Sequence, residues 1–214
     1  MALPSSYTVV ATAATAGTAF TGTTPAAILP AGAVYTFPST PVFTYAGQRF
    51  KVTASGIATF PSGKTDYSAN IYTQFTPGSG SNVLFGGLSL LSNNVVAPPA
   101  NTVIVSAFGQ AGQQLSFTAS TLAAPLSWTY EMWGTIVTVG ATGTFNWSAR
   151  LMSSMYLSSE RVKLASTQWV VVSSGNTASI NTTVTNALNL YGLWSNIVAG
   201  PSATLEDFDL MWTP

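Results

Sequence analysis

The chain has 214 residues, 47% of them apolar and only 6% charged, with six basic and six acidic side chains, no His and no Cys. A net charge of +0 leaves no electrostatic footprint for nucleic acid or an anionic membrane, and the lack of Cys excludes disulfides and thiolate metal sites. An ordinary soluble domain carries about a quarter charged residues, so a surface this poor in charge is expected to associate with copies of itself or with other proteins.

The opening residues Met1-Ala2-Leu3-Pro4 lack the basic region and apolar stretch of a signal peptide. Residues 1–45 are free of charge and built from Ala, Thr, Gly and Pro, which suggests an extended N-terminal arm with a first strand over 7–13. A flexible leader is the alternative. The preferred reading lays this arm on a neighbouring subunit, with a single sandwich domain over 46–214.

From residue 50 the periodicity is two. Phe50, Val52, Ala54, Gly56, Ala58 and Phe60 alternate with mostly polar residues, the pattern of a half-buried strand. After the turn-rich 61–66 the alternation resumes as Tyr67, Ala69, Ile71, Thr73 and Phe75, and the two runs are predicted to pair as a hairpin. A second predicted hairpin joins Trp128, Tyr130, Met132 and Ile136 to Phe145, Trp147, Ala149 and Leu151 through Gly140-Ala141-Thr142-Gly143. The register of Glu131 and Arg150 in it stays open at this level.

Further on, 168–172 reads as a Val-rich strand and Ser173-Ser174-Gly175-Asn176 as a turn. Leu188, Leu190 and Trp194 share one face of a later strand; Phe208, Leu210 and Trp212 share one face of the last, with Asp207 and Asp209 opposite. Weaker strand signals cover 34–45, 83–91, 102–108 and 115–121. Residues 158–164 suit a turn or two of helix, but no segment sustains 3.6-residue spacing, and every charge-free run is broken before about 18 apolar residues accumulate. About ten short strands between Gly, Pro, Ser and Asn clusters read as an all-β antiparallel sandwich or barrel.

Chemistry is sparsely equipped. Without His or Cys the commonest general base and the best nucleophile are missing, and no Gly-x-Ser-x-Gly elbow or phosphate-binding lysine loop is present. The six acids include one cluster, Glu206-Asp207-x-Asp209. Asp207 and Asp209 on one strand face present oxygen at a spacing that suits Ca²⁺. A solvated face, or protection against edge pairing, is the preferred reading of them. No catalytic residues and no cofactor are expected. Trp128, Trp147, Trp194 and Trp212 fall on apolar faces and belong to the core. Trp133 has the opposite parity and Tyr72 lies among polar neighbours, so these two are the expected exposed aromatics, for an interface ahead of a sugar. The sequons at Asn146 and Asn181 are chance matches in a Ser/Thr-rich chain.

Three stretches carry a resemblance. Residues 45–56 (Tyr45-Ala46-Gly47-Gln48-Arg49-Phe50 onward) resemble an early strand of jelly-roll domains in tailed-bacteriophage virion proteins. Gly140-Ala141-Thr142-Gly143-Thr144-Phe145 resembles their central hairpin, and 179–190 with 203–210 resembles their last two strands. The resemblance implies a jelly roll like that of tumour necrosis factor, usually a trimer. It implies a structural virion protein, first of all a capsid decoration protein on the capsid exterior, whose partners are its own copies and the major capsid protein or other virion proteins. A receptor- or carbohydrate-binding module of a tail fibre, or a capsid shell protein, is the alternative. It implies no shared active site.

Overall fold

The computed structural model describes residues 8–13, 16–38, 43, 45–59, 67–93, 103–105, 111–118, 125–154, 169–194 and 200–213. Thirteen strands lie in them: β1 (Thr8–Ala13), β2 (Ala26–Ala27), β3 (Tyr35–Phe37), β4 (Arg49–Thr59), β5 (Tyr67–Pro77), β6 (Val83–Asn93), β7 (Val103–Val105), β8 (Ala111–Thr118), β9 (Pro125–Thr138), β10 (Gly143–Ser154), β11 (Trp169–Ile180), β12 (Asn186–Trp194) and β13 (Ser202–Trp212). A short 3-10 turn spans Ala31–Ala33. One sheet, here sheet A, has the order β1-β13-β4-β9-β10-β11; the other, sheet B, runs β2-β12-β5-β6-β8-β7 with β3 also on β12. Pairing is antiparallel throughout except between β6 and β8. The protein is an all-β sandwich of two packed sheets.

Alternation decides which side chains meet between the sheets. In β4 burial switches at every residue, with Phe50, Val52, Ala54 and Ala58 inside. Phe37, Phe43, Phe50, Phe75, Phe85, Phe145 and Trp212 gather at one end of the core, mostly edge to face; Phe85 and Phe145 lie 4.9 Å apart and Phe50 and Phe75 5.4 Å apart. Glycines inside the strands make room for these rings. Gly134 stands opposite Phe50 and Gly56 opposite Trp128, and a Cβ on either would fall 2.1 Å from the Phe50 ring or 2.6 Å from the indole. A 2.8 Å hydrogen bond between the Thr73 and Tyr130 hydroxyls bridges the two sheets inside this core.

Two expected pairings differ. The runs at 50–60 and 67–75 are not a hairpin: β4 pairs with β13 and β9 in sheet A, while β5 pairs with β12 and β6 in sheet B. Both expose an apolar side every second residue, and two such strands satisfy each other equally well across the sandwich as side by side. The seven-residue link between them is long enough to cross the roughly 10 Å between packed sheets. Likewise 173–176 is no turn. It lies inside β11, and the register against β10 shifts where Phe145 and Trp147 face Ala178 and Gly175, so the Gly and Asn residues serve a bulge. The hairpin of β9 and β10 forms as predicted around Gly140, whose φ of 126° suits only glycine. The described residues before residue 45 pack into the sandwich. β1 extends sheet A beside β13, β2 and β3 extend sheet B, and Phe20, Ile28, Leu29 and Phe37 are buried in the same core. Apolar side chains this frequent in 20–37 gain more from that core than from solvent. The helical turn expected at 158–164 lies outside the described residues.

Because the Phe50 ring is held by five neighbouring rings, it cannot swing away from an added methyl. Gly134→Ala is expected to lower stability by about 1–3 kcal/mol, measured by denaturant unfolding. Gly32→Ala, where an added Cβ meets nothing within 4 Å, should stay within about 0.5 kcal/mol of the parent.

Candidate functional site

Five of the twelve charged side chains (Lys64, Asp66, Glu160, Arg161 and Lys163) lie outside the described residues. The other seven all stand on sheet A: Arg49 and Lys51 on β4, Glu131 on β9, Arg150 on β10, and Glu206, Asp207 and Asp209 on β13. Core packing dictates this face. With Phe50, Val52, Tyr130, Met132, Ala149, Leu151, Phe208 and Leu210 buried, the intervening positions must point outward.

Register then builds a cluster. Arg150 stands directly opposite Glu131, which has Thr53 on its other side, and one step along Trp133 stands opposite Lys51. The Glu131 carboxylate accepts a hydrogen bond from the Arg150 Nε and lies 3.3 Å from the Lys51 Nζ. Both cations also approach the Trp133 ring, the Lys51 Nζ at 5.5 Å and the Arg150 guanidinium at 5.1 Å from its centroid. The Glu131 side chain is only 11% exposed, against 24% for Lys51 and 40% for Arg150. Burial alone would raise the Glu131 pKa; the Arg150 hydrogen bond and the Lys51 and Arg150 charges outweigh it and hold the carboxyl below its ordinary value.

Of the two aromatics expected at the surface, Trp133 is there, half-buried beneath its two cations. Tyr72 is not. It is 2% exposed and stacks on Tyr191 at 5.5 Å, and burial followed by the neighbouring Tyr191 pushes its hydroxyl up to about 12. The reason is that the outward face of β5 is shielded: Gln74 on the same side is only 6% exposed and Leu193 on β12 only 8%. Asp207 and Asp209 do share the outward side of β13, with Glu206 beside them at a bulge opposite Ser55. Among the described residues, no three acidic side chains come together as a metal site.

Among its described residues, the arrangement commits the Glu131 carboxylate to Arg150 and Lys51. What it offers is recognition: an indole, two cations anchored by a shared carboxylate, and a separate acidic strip on one open face. Lys51, Glu131 and Arg150 were missed by sequence reasoning as a group. Parity placed each outward, and only the register reveals that they meet. No protein-family model matches this chain, and no curated protein matches its sequence.

A carboxyl with a depressed folded-state pKa stabilises the fold above its unfolded-state value and loses that contribution as pH falls through the folded-state value. Stability of the parent is therefore expected to decline below about pH 4.5, the ordinary value for this group. Glu131→Gln should flatten that acid limb and leave a lower, pH-insensitive plateau, read by thermal melts from pH 3 to pH 7 (about the range over which carboxylates titrate). An unchanged acid limb would show that other carboxylates govern it.

Proposed function

We propose that this chain is a structural protein of a virus particle: a jelly-roll subunit that assembles as a trimer and decorates the capsid exterior of a tailed phage. The observation that supports this reading best is the strand order. Four strands of sheet A run β1-β13-β4-β9 and four of sheet B run β3-β12-β5-β6. The chain passes from sheet to sheet between them and brings its first and last strands side by side, in keeping with an eight-stranded double-sheet roll of two Greek keys. On this reading the β7–β8 and β10–β11 pairs are insertions that widen the sheets.

The physical role follows from composition. A subunit that binds only the assembled shell stabilises it by mass action, in proportion to the logarithm of ligand concentration over affinity. Few charges and many Ala, Ser and Thr side chains allow close approach of neighbouring surfaces, and aromatic and Arg side chains supply anchors. Closed symmetry also hides strand edges that a lone sandwich would present to solvent.

Light scattering of the purified protein should give a trimer that withstands heating and is unchanged by EDTA. Dissociation in EDTA would assign Asp207 and Asp209 to Ca²⁺. A reconstruction of the intact particle should place the chain on capsid symmetry axes; density along a tail fibre, with binding on a glycan array, would replace decoration by receptor recognition.

A further inference from the structure

The two outer faces of the sandwich differ. That of sheet B is shielded within one copy at Tyr72, Gln74 and Leu193, whereas that of sheet A leaves Val9 54% and Val137 39% exposed around the enclosed Glu131. One row crosses four strands of this open face: Val9 beside Met211, Met211 beside Lys51, Lys51 beside Trp133. Trp, Met and Arg are the side chains enriched where proteins meet, and Thr53, Ser55 and Thr129 between them are small enough to let another surface approach.

The charges on this face are unevenly matched. Lys51 and Arg150 share one carboxylate, Glu131, and Arg49 stands on the same face without an ion-pair partner among the described residues, as do Glu206, Asp207 and Asp209. The described cations of the same chain do not reach them. Asp209 lies in the row Asp209, Thr53, Glu131, Arg150, which puts it three strands, or roughly 14 Å, from Arg150. Lys51, the nearer cation, is turned to Glu131 and Trp133. One face thus carries an unmatched acidic strip and an excess of cations around an indole, about two strands apart.

We infer that the outer face of sheet A is a self-association surface on which two copies pair about a twofold axis, the acidic strip of each seated on the Trp133 cluster of the other. An isologous contact requires such self-complementarity: if strip meets cluster on one side of the axis, cluster meets strip on the other. The axis passes near Thr53 and Ser55, where side chains are small. Trp133 supplies the anchor, already oriented by two cations. The pair uses only this face and leaves the edges and ends of the sandwich to any threefold contact, so it stands independently of the virion reading.

Charge exchange between copies tests it. In sedimentation of the full chain, association beyond any threefold unit should weaken as salt rises from about 50 mM to about 500 mM. Asp207→Lys with Asp209→Lys, and separately Arg49→Glu with Arg150→Glu, should each weaken it at least tenfold. Mixing the two variants should restore it, since each presents the other with the charge its own copy lacks. Arg49→Glu alone, at an exposed side chain outside the Glu131 network, serves if the double variant melts early, and should also be rescued by the lysine variant. Wild-type association by the variants, no gain on mixing, or a parent that neither pairs nor responds to salt would overturn the proposal. A chain found on the particle with swap-insensitive association would refute this pairing alone. Swap-dependent pairs of a chain absent from the particle would refute the virion reading alone.

Discussion

Everything in this molecule is arranged around the aromatic cluster between the two sheets. Phe37, Phe43, Phe50, Phe75, Phe85, Phe145 and Trp212 come from six strands and the 43–48 segment, and each touches at least one ring from another strand. Rings this large close the gap between sheets only if their cross-strand partners are small, which is why Gly134 and Gly56 stand inside strands where glycine is otherwise unfavourable. At the other end Trp194 repeats the device: its Nε1 donates to the Phe20 carbonyl at 2.9 Å, and Gly192 leaves space for the Phe20 ring. The N-terminal segment is therefore bound by the same aromatic packing as the later strands.

Once the core fixes which parity points inward, it also fixes where charge can sit. A chain with so few ionised groups does not scatter the seven described ones; they stand on one sheet face. Glu131 is the most enclosed of them, and an enclosed carboxylate without partners is costly. Its two cations offset that cost, and they in turn cover the Trp133 ring. The network is worth less as a source of stability than as a device that holds three side chains in one orientation, since paired charges near a surface contribute little net free energy.

How much of this could be read from residues alone depends on whether the information is local. Parity is local: it located the inward sides of β4, β9, β10, β12 and β13, and with them the four core tryptophans. Pairing is not local. The runs that became β4 and β5 are equally suited to lie side by side or face to face, and only the competition of β9, β12 and β13 for their edges separates them. Turn chemistry is ambiguous for a similar reason. Gly175-Asn176 permits a chain reversal, yet a bulge uses the same backbone freedom, and the strand continues when a partner is available on the far side. The N-terminal segment reads as an arm because it has no charge and many small residues, but the same composition suits edge strands that pack under a core.

Tyr72 and Trp133 make the boundary sharpest. By parity both are outward aromatics on central strands, and nothing in their neighbours' polarity distinguishes them. Tyr72 lies where the outward side of β5 and β12 is shielded within the copy, and its ring stacks on Tyr191 and is lost to solvent. Trp133 belongs to the sheet whose outer face stays open, and there the chain has placed its described charges. Outwardness is a property of a strand, whereas accessibility is a property of a layer. A surface aromatic can therefore be nominated from sequence, but its availability to a partner follows only from knowing which of the two sheets the rest of the chain leaves uncovered.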